Sequence, residues 1–157
     1  SIPLVFIGYP NPHHRSYLAR FKREVARLPQ AFWFPKLSRK ETLSALKTAQ
    51  VHVLASMVET TGLANLEAGY FGANLVSTEN GYAREIFKGF VNYCDPGDEG
   101  SIRDAILKAF HSPYSPKLKP YILKHYNEKL SVLKHLDFYG RILHTKNSSC
   151  QIISIGE

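Results

Sequence analysis

The sequence predicts an α/β fold, an open, mostly parallel sheet with helices on both faces. Three observations carry this expectation. Short apolar runs, PLVFIG, AFWF, VHVLAS and ANLVST, recur along the chain and read as strands of the doubly buried, parallel kind. Between them the hydrophobic pattern changes to helical spacing. Enough chain separates neighbouring strands to hold a crossover helix, which parallel pairing requires.

The elements follow in order. PLVFIG, residues 3–8, is short, apolar and ended by glycine, so it reads as a strand buried on both faces. Leu18, Phe21, Val25 and Leu28 then fall at helical spacing, with Arg15, Arg20, Lys22, Arg23 and Arg27 over much of the remainder, until Pro29 ends the pattern. AFWF, 31–34, is the second strand. Ser38-x-x-Glu41 is a capping box that opens a helix through about residue 48. VHVLAS, 51–56, is the third strand. A helix from about Gly62 to Phe71 follows, with Gly72 placed to stop it.

ANLVST, 73–78, is the fourth strand, and a helical turn at 83–87 leads to a fifth at 90–93. Ser101-x-x-Asp104 reads as a second capping box, with Ile102, Ala105, Ile106 and Ala109 as the buried face of its helix. Past Pro113, Pro116 and Pro120 two further helices are expected, at 121–128 and at 131–144, the latter capped by Ser131. Residues 145–157 are read as a tail. No internal repeat or low-complexity segment interrupts the series.

Composition narrows the class. The 157 residues suffice for one domain with a core. Hydrophobic residues at 44% and charged residues at 21% are ordinary for a soluble protein, and no apolar run approaches a membrane span. The chain opens on Ser1 without a basic and apolar leader, which fits a fragment with a cut or processed start. Cys94 and Cys150 form no framework or ligand-spaced cluster, so a reducing cytoplasm is the expected compartment. His13 and His14 belong to seven scattered histidines without metal-ligand spacing, and no metal is expected. The net charge of +7 suits anionic partners without choosing among them. The basic helix near 15–27 admits peripheral contact with an anionic membrane surface, for which a solvated helix face is the simpler account. Tyr9, Phe32 and Trp33 sit in strand or turn contexts and do not interleave with cations, so nucleic acid is not expected.

Chemistry concentrates in ETTGLANLE, 59–67, where the third strand turns into a helix. The first turn of a helix presents unpaired N–H groups and the positive end of its dipole, and Gly62 lets a ligand approach the backbone, so this is a phosphate-binding geometry. Glu67 lies roughly 7.5 Å further along the axis, where a carboxylate accepts hydrogen bonds from a diol such as that of ribose. Glu59, on the loop, is placed to meet a group on the far side of a diphosphate, as a sugar would be. The same two residues also fit a solvated loop carboxylate and a polar position of an amphipathic helix, and spacing alone does not separate the readings.

The segment ETTGLANLEAGYFGANLVST, 59–78, resembles the donor-site signature of retaining GT-B glycosyltransferases of the large family-4 group. Glu59, Gly62 and Glu67 match its pattern of Glu, seven residues, Glu, with glycine fourth. VHVLAS before it, STENGYAREI after it and DPGDEGSIRDAILKAF later extend the likeness over about residues 3–144. The resemblance implies a Rossmann-like sheet forming the C-terminal, nucleotide-sugar-binding half of a GT-B fold, without its first strand and without the N-terminal acceptor-binding domain. It implies that Glu67 binds the ribose hydroxyls and that Glu59 binds hydroxyls of the donor sugar and is the catalytic candidate. Backbone groups of Thr61 and Gly62 then meet the sugar, and those of Leu63 and Ala64 the diphosphate. Leu37 is assigned to the base, with weaker claims for Ser38 and Lys40. Arg84 and Glu85, in GYAREI, match a segment near the donor, though an ion pair within the turn accounts for them as well.

What the resemblance implies of activity is sugar transfer from a nucleoside-diphosphate sugar to an acceptor, with anomeric configuration retained and no metal required. The arginine and lysine that family members bring to the diphosphate would precede Ser1, so the chain alone is expected to bind donor weakly and to transfer nothing. A GT-B epimerase or phosphorylase half, or a non-catalytic nucleotide-binding module, is the alternative.

Overall fold

The computed structural model describes the backbone of residues 2–148 and the side chains of residues 2–144. The chain divides into two compact units, residues 1–49 and 50–157. The strands pair as two parallel sets, one in each unit, rather than as a single ladder.

In the first unit β1 (Leu4–Ile7) and β2 (Ala31–Phe34) run parallel, Leu4 opposite Ala31, with α1 (Arg15–Ala26) as their crossover. Phe21 of α1 meets Phe6 and Trp33 edge-on, at centroid distances of 5.2 and 5.6 Å, the geometry that aromatic quadrupoles favour. The expected double burial of 3–8 is not what forms: Leu4, Val5, Phe6 and Ile7 are all exposed, Val5 at 53%. Among the described residues of its unit β1 is paired along one edge only, by β2, and Phe21 of α1 meets its Phe6. α2 (Arg39–Thr48) starts at the expected capping box. Ser38 accepts from the Glu41 N–H, and the Glu41 carboxylate accepts from the Ser38 N–H at 2.7 Å.

The second unit is built on β3 (Val51–Leu54), β4 (Asn74–Thr78) and β5 (Val91–Cys94), parallel in that order with β4 central. Leu75, Val76, Ser77 and Thr78 are fully buried, because a central strand is covered on both faces. On the Val76 face lies α5 (Glu99–His111), whose Ala105 and Ala109 pack with Val76 and Cys94 while Ile102 and Ile106 close the margin. On the Ser77 face lies α3 (Leu63–Phe71), held by Asn65 Nδ2 donating to Ser77 Oγ at 3.1 Å. Strand alternation makes these opposite faces, as expected for an α/β sheet. Asn74 Nδ2 donates to the carbonyls of Ala109 and Ser112, tying the end of α5 to β4.

α6 (Leu118–His125) packs against α3 at Gly69, where an added Cβ would stand 2.9 Å from Ile122 Cδ1. Its register is three residues earlier than the sequence suggests, because Pro120 is accepted in the first helical turn. The short α4 (Ala83–Phe87) buries Phe87 completely. Tyr121 and Tyr126 both donate their hydroxyls to the Ile86 carbonyl, at 2.8 and 3.1 Å, fastening α4 to the α6 region.

Two expected caps move. α5 starts at Glu99, and its cap is Asp98, which accepts from the Gly100 N–H at 2.8 Å. Ser101 instead accepts from the Asp95 N–H, and Asp104 pairs with Arg103. α7 (Glu128–Ser148) starts before Ser131, and Asn127 Oδ1 takes the Leu130 N–H at 2.8 Å. In both cases an Asx residue upstream of the expected Ser captures the orphan N–H groups first. α7 also runs past the expected end at 144, and the rest of the tail lies outside the described residues. No described helix is long and apolar enough to cross a membrane.

Candidate donor site

In the second unit the loops that follow β3 and β4 meet beyond the carboxyl ends of the strands, where open α/β sheets bind ligands. Glu59 and Gly81 form a parallel bridge between them. The Glu59 N–H donates to the Asn80 carbonyl at 3.0 Å, and the Tyr82 N–H to the Glu59 carbonyl at 3.1 Å. Asn80 Nδ2 donates to the Met57 carbonyl at 3.1 Å.

Glu59 is half-buried in this loop. Its Oε1 accepts from the Thr60 and Gly62 N–H groups, each at 3.1 Å, and Ser56 Oγ stands 3.5 Å from Oε2. The carboxylate therefore sits at the positive end of α3, as an anion at a helix start should. Gly62 caps α3 in the left-handed region, φ 64°, where a side chain would be strained. The first intrahelical bond is Leu66 N–H to the Gly62 carbonyl. The Leu63 and Ala64 N–H groups have no partner among the described residues, which is the ordinary condition of a first turn. Leu63 and Thr61 are exposed and Ala64 is half-buried.

Glu67 is half-buried further along α3. His52 on β3 lies on the α3 face of the sheet, in register with Leu75. Burial pushes the His52 imidazole below the usual histidine range, and the Glu67 charge opposes this in part. His52 Nε2 is buried without a hydrogen-bond partner among the described residues, as is Asn65 Oδ1.

Leu37, in the first unit, is half-buried and lines an open cavity of about 400 Å³ with Gly8, Tyr9, Lys36 and Thr42. Ser38 is engaged in its capping box, and Lys40 is exposed. Arg84 pairs with Glu79 at 2.6 Å and lies over the Tyr93 ring, while Glu85 is exposed. Sequence reasoning missed Asn80, Gly81, Asn65 and His52. The Asn-Gly pair was a legible turn signal, but nothing local said which loop it would meet.

The family model described as glycosyl transferases group 1 matches residues 1–130. The chain belongs to that family. Sucrose-phosphate synthase 4 of Arabidopsis thaliana is 39% identical over 66 residues, 41% of this chain and 6% of that protein. Among solved structures, sucrose-phosphate synthase from Thermosynechococcus elongatus superposes with TM-score 0.75 at 16% identity, over 90% of this chain and 39% of that one. AviGT4, a glycosyltransferase involved in avilamycin A biosynthesis, gives TM-score 0.72 at 17% identity, over 90% and 44%. The N-terminal domain of Candida albicans trehalose-6-phosphate phosphatase gives 0.66 at 16%, over 83% and 31%. The group 1 chain thus shares the fold of GT-B glycosyltransferases and spans less than half the length of each of these relatives.

Proposed function

We infer that the chain is the donor-binding half of a retaining glycosyltransferase that uses a nucleoside-diphosphate sugar. The observation that carries this is the helix start itself: two carboxylates, Glu59 and Glu67, flank a first turn whose Leu63 and Ala64 N–H groups stand at the carboxyl edge of a parallel sheet. The diphosphate takes those N–H groups, the ribose diol binds Glu67, and the sugar hydroxyls bind Glu59 with the backbone of Thr61 and Gly62. Leu37 remains the residue assigned to the base, on the resemblance alone.

In the reaction, the bond from the anomeric carbon to the diphosphate breaks and negative charge develops on the departing oxygen. Helix N–H groups stabilise that charge most when it is greatest, which makes their contribution catalytic rather than merely binding. The diphosphate is bound without a metal, as the family resemblance implies. An N-terminal domain of the same protein supplies the acceptor site, and the cleft closes between the two halves.

Thermal shift with uridine, guanosine and adenosine diphosphates and their sugars tests this. Stabilisation by at least one nucleotide is expected, since a ligand that binds only the folded state raises its stability. No shift with any of them in a folded chain would count against a donor site.

A further inference from the structure

The loop after β4 is tied to the Glu59 loop more closely than chain connection requires. Glu59 is bracketed on both sides of its backbone, its N–H by the Asn80 carbonyl at 3.0 Å and its carbonyl by the Tyr82 N–H at 3.1 Å. Asn80 adds a side-chain bond from Nδ2 to the Met57 carbonyl at 3.1 Å, and its own N–H donates to Thr78 Oγ1 at 3.1 Å. Thr78 is fully buried at the end of β4, so this clamp is anchored in the core. Between the two loops stands Gly81 at φ 103°, where an added Cβ would lie 2.0 Å from the Glu59 carbonyl oxygen. Only glycine permits that approach. Met57 and Val58, beside Glu59, are 68% and 67% exposed, so the loop is held by these bonds and by those of the Glu59 carboxylate to the Thr60 and Gly62 N–H groups.

We propose that Asn80 and Gly81 are positioning residues that hold Glu59 against the donor sugar, and so set the sugar-dependent part of donor binding. This rests on the donor-site reading above. The start of α3 has a separate anchor, the bond from Asn65 to Ser77. Removing the Asn80 side chain takes away its bond to Met57 and leaves the two backbone bonds to Glu59, so the Glu59 loop loosens while the helix N–H groups that face the diphosphate stay in place. A general structural role would weaken bare nucleotide and nucleotide sugar alike.

The test titrates the chain, by ligand-observed NMR, with the matched probes UDP and UDP-glucose and with GDP and GDP-mannose, before and after Asn80→Ala. The clamp predicts that the gain in affinity from adding the sugar falls about tenfold, the size of one well-made hydrogen bond, while bare diphosphate affinity holds. Gly81→Ala should act in the same sense, and if that variant does not fold, Asn80→Ala decides. An unchanged gain, or an equal loss for bare nucleotide and nucleotide sugar, overturns the positioning role and leaves the donor site standing. Failure of every probe to bind the unaltered, folded chain overturns both.

Discussion

At the scale of single residues, two backbone and side-chain environments make direct predictions. Gly81 combines positive φ with a carbonyl in the space of its missing side chain. Gly81→Ala should therefore cost about 2 kcal/mol in urea denaturation, whereas a neutral result would show that the contact with Glu59 yields easily. His52 gives a pH signature. Its folded form holds the proton more weakly than the unfolded chain does, because burial outweighs the pull of Glu67. Above the ordinary histidine value of about 6.5 both states are neutral and the residue contributes nothing. As pH falls through that value the unfolded state takes up a proton that the fold resists, so stability declines until the folded value is reached. His52→Phe should flatten this decline as pH falls below about 6.5, read from urea midpoints. Parallel curves for the two proteins would remove His52 from the account. Neither residue stood out in the sequence, because their roles depend on neighbours some 20 residues away that only the fold supplies.

At the scale of elements, the alternation of strand and helix was legible because apolar runs and helical spacing are local signals. The strand at 51–54, α3 with its glycine at each end and the box at Ser38 all form where those signals put them. Boundaries were less legible where two polar residues competed for one cap. Asp98 and Asn127 precede Ser101 and Ser131 and satisfy the first N–H groups before the serines are reached. Asn127→Ala should accordingly destabilise the start of α7 by about 1 kcal/mol, with Ser131→Ala near neutral. The reverse order, measured by thermal or urea unfolding, would restore the serine as cap. Burial of β1 departs from expectation for a different reason: an apolar run records what a strand wants to bury, and not whether its unit contains enough structure to cover it.

At the scale of the whole molecule, the candidate site was legible as a list and not as an arrangement. Glu59, Gly62 and Glu67 were readable from their spacing and from the family resemblance. That the Glu59 carboxylate lies on the Gly62 N–H and that a second loop clamps it were not. The group 1 family covers residues 1–130, and the chain spans less than half of the related proteins compared with it. The chain alone should therefore show no sugar transfer from any nucleotide sugar that it binds, measured by product formation over hours. Ordinary turnover would refute the need for a second domain. The division of labour between the two carboxylates is the claim most directly open to test, by binding of a nucleoside diphosphate and of its sugar to Glu59→Ala and Glu67→Ala. Loss of both ligands in Glu67→Ala, with the bare diphosphate retained and only the sugar's added affinity lost in Glu59→Ala, is the expected result. Identical behaviour of the two variants, or full retention of both ligands by Glu67→Ala, would contradict it.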